Sequence, residues 1–158
     1  MTPQDQAALA QSCLAYKLRP DHLAELFPIA DAIYFQHGQE MIRHKSNDAD
    51  LYVILQGHVN ILTDDGDKYY DAGPGTVVGE LAFLDAGPRA ANALACGHVY
   101  ALKFPATDLR RLMCTNKELG FSILANLTRV VCARLRKADE ELDKLMDTAH
   151  DAWSIHDC

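Results

Sequence analysis

Residues 79–92 read GELAFLDAGPRAAN and hold the chain's densest chemistry. Gly79 through Leu84 predicts one and a half helical turns, whose first amides have no partner inside the helix and face outward toward an anion. Gly79 lacks a Cβ, so a ligand can approach the backbone closely. Asp85-Ala86-Gly87-Pro88 predicts a turn. Arg89 follows it with a planar, permanently charged fork suited to phosphate. The chain reversal lets the helix start and the arginine face one pocket. Glu80 is costly beside a phosphate unless it accepts hydrogen bonds, and a ribose hydroxyl is a fitting donor. Singly, each piece is ordinary: a helix dipole favours Glu80 anywhere, and an arginine after a Pro turn is usually solvated. Together they point to a nucleotide.

The elements that must hold this stretch change type along the chain. Gln4 to Leu18 predicts a helix, and Pro20 to about Phe27 a second. Short extended runs follow: Ile33–Phe35, Met41–Arg43, Leu51–Leu55, Val59–Leu62, Lys68–Asp71, Thr76–Val78, Ala93–Cys96 and Val99–Phe104. Turns separate them, including a bend at Gln56-Gly57, an Asp65-Gly66 hairpin and a turn at Gly97-His98. Many short strands with regular glycine turns imply a mainly β fold, a jelly-roll-like barrel with flanking helices. Residues 1–30 are read as N-terminal helices, 31–105 as the β-roll, 106–150 as C-terminal helices and 151–158 as an acidic tail.

Bulk properties narrow the function classes. The chain has 158 residues, 49% of them apolar and 23% charged, which suits one domain with a real core. A formal charge of −7 disfavours nonspecific DNA binding, which rests on Lys and Arg. It also makes the overall field repel a phosphate, so Arg89 and nearby amides must overcome it locally. Neither a signal peptide at the start nor a transmembrane run is expected. Cys13, Cys96, Cys114, Cys132 and Cys158 are widely spaced without CxxC, implying free thiols in a reducing cytoplasm. The seven histidines form no HxH or HExxH arrangement, so no metal site is expected. A cupin-like metal barrel fails for the same reason. No nucleophile–base pair suggests an enzyme.

The run at 79–92 resembles the phosphate-binding cassette of cyclic-nucleotide-binding domains, as in protein kinase A regulatory subunits and the bacterial catabolite activator. That pattern is Gly-Glu-Leu-Ala, five spacer residues, then Pro-Arg-Ala-Ala; here Phe83 to Gly87 form the spacer. Phe35 to Gln39, Leu51 to Ile54 and Gly57 to Val59 resemble the family's glycine-punctuated strands. Gln39 departs from a commonly acidic position, and Lys45-Ser46 replaces a frequent Gly-Asp turn. The resemblance implies that Arg89 pairs with the exocyclic oxygens of a cyclic phosphate. It further implies that Glu80 takes the ribose 2′-hydroxyl beside the Gly79 backbone. Amides near Leu81, Ala82 and Ala90 complete the cradle, with Ala91 closing the motif and Val77, Val78 and Leu81 walling the pocket. Ala90, where Thr often accompanies cGMP preference, leans toward cAMP as ligand, with cGMP as the second choice. Arg134, Leu135 and Trp153 are candidates to lid the base.

Glu118 opens one long predicted helix, running to about Ala149, with Thr115 to Glu118 at capping-box spacing before it. Leu119, Ile123 and Leu127 are placed against the roll. Leu124, Thr128, Val131, Leu135, Ala138, Leu142, Leu145 and Ala149 alternate gaps of four and three, a heptad seam. A parallel homodimer is expected. Arg134, Arg136 and Lys137 read as a solvated basic run. About nine residues remain beyond this helix, so no helix-turn-helix and no DNA partner are expected. The resulting expectation is a non-catalytic cyclic-nucleotide sensor, shifting its long helix on an unidentified protein effector. The alternative is a structural or interaction module of the same fold that no longer responds to nucleotide.

Overall fold

The computed structural model describes residues 2–154. Helices α1 (Pro3–Ala10) and α2 (Pro20–Leu26) come first, the latter running into a 3-10 turn at Phe27–Ile29. Thr2 and Asp5 cap α1 reciprocally. The helix expected through Leu18 stops at Ala10 because the Cys13 amide donates to Gly75 O at 2.8 Å instead of continuing the helical ladder. A tertiary backbone bond overrides local propensity here.

Six antiparallel strands make the roll: β1 (Asp31–Phe35), β2 (Glu40–Ile42), β3 (Leu51–Leu62), β4 (Lys68–Ala72), β5 (Val77–Val78) and β6 (Asn92–Phe104). The path runs β1-β6-β3-β4, with β2 on β6 and β5 on β3. The hydrogen bonding does not close, so the expected barrel is an open roll of jelly-roll type.

Two pairs of predicted strands are each one long strand. Residues 51–55 and 59–62 join as β3, and 93–96 and 99–104 join as β6. The bend at Gln56-Gly57 is a bulge between them, not a turn: Ile54 faces Ala101, yet Gln56 faces Tyr100. One extra residue moves the inward set by one position. Tyr52 and Ile54 point into the roll before the bulge, and Val59 and Ile61 after it. Gly57 has φ +83, and a Cβ there would lie 2.2 Å from His98 O.

The core has two parts. Inside the roll, Ile42, Ile54, Ile61, Val78, Ala93 and Ala101 pack together. Outside it, Leu51, Val53, Val77, Leu102 and Phe104 meet the helices. After the short helix α3 (Glu80–Asp85), helices α4 (Ala106–Thr115) and α5 (Lys117–Ser154) close the outer layer. Leu119, Ile123 and Leu127 of α5 are buried there, as their spacing implied. Asn126 ties α5 to the chain after α1 through Leu14 O at 2.8 Å and Tyr16 O at 2.9 Å. Beyond Leu135 the helix surface is exposed through Thr148. No helix among the described residues is long and apolar enough to cross a membrane.

Candidate functional site

The 79–92 stretch folds as its residue types require. Gly79 takes φ +92, a left-handed conformation that costs other residues. A Cβ there would stand 2.5 Å from Arg89 Nη1 and 2.8 Å from Asp50 O. The glycine therefore permits the arginine to lie against the backbone. α3 follows, and the chain returns through residues 86–91 to β6.

Arg89 is 2% exposed. Its main chain is pinned to a neighbouring turn: its amide donates to Ser46 O at 2.9 Å, and its carbonyl accepts from Lys45 N at 2.9 Å. Lys45 has φ +63, a left-handed conformation that glycine adopts without strain. The guanidinium is also held. Nε donates to Asp48 Oδ1 at 3.1 Å, and Nη2 bonds both that same oxygen and Asp50 O, the latter at 2.8 Å. Nη1 donates to Gly79 O at 3.2 Å. Among the described residues, four of its five N–H groups find acceptors, and one on Nη1 does not. Asp48 thus matches the Arg89 charge, so the arginine does not offset the chain's negative field alone, as its position in the sequence implied. Partial burial pushes the Asp48 carboxyl up, but hydrogen bonds from Arg89 and Ser46 and the Arg89 charge outweigh it and hold it below the ordinary carboxylate range.

Glu80 is 2% exposed and faces a second arginine. Arg134 of α5 bonds Glu80 Oε1 through Nη1, and its Nη2 donates to Val77 O at 2.6 Å. The basic run at 134–137 is therefore not merely a solvated face. Arg134 is half-buried and reaches across to the cassette.

Gly79, Glu80, Leu81, Ala82, Arg89, Ala90, Ala91 and Val78 border one cavity of about 50 Å³, together with Arg134. A neighbouring cavity of about 310 Å³ shares Ile61, Glu80, Leu81 and Arg134 with it and continues along Tyr70, Val131 and Leu135. Joined, they reach the lower end of the roughly 300–1,000 Å³ typical of small-molecule sites. Val77 is the exception among the expected wall residues. Successive strand residues face opposite sides, so Val77 packs with the helices while Val78 faces the roll. Only the Val77 carbonyl reaches the site. Of the lid candidates, Arg134 and Leu135 border the larger cavity, whereas the Trp153 side chain lies outside the described residues.

Sequence reasoning missed Asp48 and Tyr70. Asp48 lies 41 residues before Arg89 in a polar turn with no local mark of its role. Tyr70 sits in a strand read only as a hairpin return.

The arrangement offers a buried cation, a buried acid paired with an arginine of α5, and an apolar space beyond. Comparison with known proteins agrees. Residues 32–116 match the model of the cyclic nucleotide-binding domain. The chain is 26% identical over 145 residues to Glutaminase 2 of Bradyrhizobium diazoefficiens, covering 90% of this chain and 23% of that protein. It is 28% identical over 108 residues to the cAMP-dependent protein kinase regulatory subunit of Eremothecium gossypii, covering 68% and 23%. The chain thus spans under a quarter of these curated relatives. The crystal structure of Thermus thermophilus catabolite activator protein superposes with a TM-score of 0.71 at 27% identity, covering 85% of this chain and 63% of that one. The match runs over more than half of the chain and includes every residue that borders the small cavity except Arg134, and on that ground the chain belongs to the cyclic nucleotide-binding domain family.

Proposed function

We propose that this chain is a non-catalytic regulatory module that binds a cyclic mononucleotide, cAMP in preference to cGMP, and answers by moving α5. The observation that carries the reading is the convergence of Arg89, Glu80 and the start of α3 on one cavity that α5 caps through Arg134. The phosphate takes the free Nη1 hydrogen of Arg89 and amides near Leu81, Ala82 and Ala90. The ribose 2′-hydroxyl donates to Glu80. Ala90 offers no hydroxyl to a guanine amino group, which supports cAMP. Because Glu80 now bonds Arg134, nucleotide and α5 compete for one carboxylate. Such competition gives the two states different ligand affinity, which a population shift requires.

The exposed seam on α5, with Leu135 59% and Leu142 56% exposed, supports a parallel homodimer. Free thiols at Cys13, Cys96, Cys114 and Cys132 support a cytoplasmic setting. A protein effector, not DNA, is the proposed output. The similarity to only 23% of Glutaminase 2 supports a portable module.

One observation favours the structural module instead: Arg89 and Arg134 already have carboxylate partners. Titration calorimetry with cAMP and cGMP decides between them. The sensor binds cAMP more tightly, and Arg89→Ala costs about 2–5 kcal/mol of that binding. No heat from either nucleotide at millimolar concentration sinks the sensor reading.

A further inference from the structure

A cavity of about 370 Å³ lies between the start of α1 and the outer face of the sheet, bordered by Thr2, Asp5, Tyr34, Leu55, Gln56 and Tyr100 among others. It shares no residue with the two cavities at the cassette. We propose that it is a separate ligand site that takes a guanidinium group, with the Asp5 carboxylate as counter-ion and the Tyr34–Tyr100 stack as a flat wall.

The sheet builds the wall. Tyr34 of β1 faces Tyr100 of β6, which in turn faces Gln56 of β3. The two rings stack with centroids 4.5 Å apart and 18° between their planes. Tyr34 is still 72% exposed, so Tyr100 uses one of its faces and leaves the other open. The bulge in β3 sets two residues, Leu55 and Gln56, against Tyr100 alone. Both reach the cavity, Leu55 as an apolar floor and Gln56 as a polar rim.

The charge selects the ligand. Asp5 is 6% exposed, and its Oδ2 accepts from the Thr2 amide at 2.7 Å. Burial pushes its carboxyl up, but hydrogen bonding to Thr2 leads the effects that outweigh this and hold it below the ordinary carboxylate range. It is therefore an anion near neutral pH. No Lys, Arg or His among the described residues borders the cavity. Capping α1 accounts for the burial of Asp5 but not for the aromatic wall beside it. An anionic ligand is repelled here, and an apolar one would leave the carboxylate desolvated without a partner. No group of three or more His, Cys, Asp or Glu among the described residues could hold a metal ion. An organic cation remains, and the chain's charge of −7 draws one in. A guanidinium suits the site better than an ammonium, because its plane lies on a tyrosine face while its N–H groups reach a carboxylate. A small guanidinium compound and an arginine side chain of a polypeptide share this chemistry.

The test is an amide-resolved NMR titration of the full chain with butylguanidinium, butylammonium, uncharged butylurea and acetyl-Gly-Arg-Gly amide. Butylguanidinium is expected to shift the amides of Asp5, Tyr34 and Tyr100 and to bind about tenfold or more tightly than butylurea, with butylammonium between them. Asp5→Asn keeps an oxygen for the Thr2 amide, and so the cap, but should lose about tenfold in butylguanidinium affinity. Tyr34 is exposed, so its variants should fold; Tyr34→Leu should lose about threefold and Tyr34→Phe nothing. A peptide that binds more tightly than butylguanidinium assigns the site to a polypeptide, and one that binds equally or less tightly assigns it to a small molecule. Either result upholds the site. Equal binding of butylguanidinium and butylurea, unchanged affinity in Asp5→Asn, or no shift at the highest soluble concentration overturns it. Equal binding of butylguanidinium and butylammonium overturns the guanidinium assignment. None of these outcomes depends on nucleotide binding.

Discussion

The Arg134 guanidinium bonds the Glu80 carboxylate across 54 residues of sequence and joins the long helix α5 to the first turn of α3. Both partners are removed from water to different degrees: the Glu80 side chain is 3% exposed and that of Arg134 25%. Taking away one member leaves the other charged and poorly solvated, the costly case for a buried pair.

A double-mutant cycle on Glu80→Gln and Arg134→Gln should show this in urea unfolding. Each single change is expected to lower stability by about 1–3 kcal/mol, and the double change by clearly less than the sum. Additive losses would mean that the two side chains do not interact in solution. In the same series, Glu80→Gln should weaken cAMP more than 2′-deoxy-cAMP. Equal losses would remove Glu80 from the ribose.

Asp48 holds Arg89 in place and, in the proposed function, would compete with the phosphate. Asp48→Asn is expected to lower stability near neutral pH by about 1–2 kcal/mol, kept small because water reaches Asp48. The nucleotide phosphate then becomes the missing counter-ion, so cAMP should raise the melting temperature of Asp48→Asn more than that of the wild type. The pH dependence has a definite sign. The Asp48 carboxyl lies below its ordinary range in the folded chain. Its contribution is therefore present above about pH 4 and lost as pH falls through the lowered value. Asp48→Asn should flatten the acid limb of the wild-type stability curve in that window. An unchanged acid limb, or a smaller cAMP-induced shift, would contradict the role given to Asp48.

The α5 seam makes a third prediction. Sedimentation equilibrium should return a dimer for the wild type and a monomer for Leu142→Glu. Leu142 is exposed and far from the core, so the variant should keep its fold and its circular dichroism spectrum. A monomeric wild type, or a Leu142→Glu dimer, would remove α5 as the contact.

Much of the site was legible because its parts are local. Gly79, Glu80 and Arg89 lie within eleven residues, where spacing reports geometry directly. Helix contacts at Leu119, Ile123 and Leu127 were legible for the same reason, since helical period places them on one side. Three features were not. Joining 51–55 to 59–62 depends on β6 supplying partners on both sides of a bulge, a long-range pairing that Gly57 hides as a turn signal. Stopping α1 at Ala10 depends on Gly75, which is remote in sequence. Placing Asp48 against Arg89 depends on the backbone ladder between residues 45–46 and 89. Val77 was misplaced by treating a two-residue strand as a wall, when its two side chains must diverge.

The length of α5 gives the Arg134 contact a mechanical meaning. From Arg134 to Thr148 the helix runs about 21 Å at 1.5 Å per residue, and its surface past Leu135 is exposed along the way. In the proposed response that stretch would act as a lever with its fulcrum at the cassette. A tilt of about 10° at the fulcrum sweeps the far end through about 4 Å, by simple proportion to that length. In the proposed response, release of one guanidinium would then produce a displacement large enough for another macromolecule to sense.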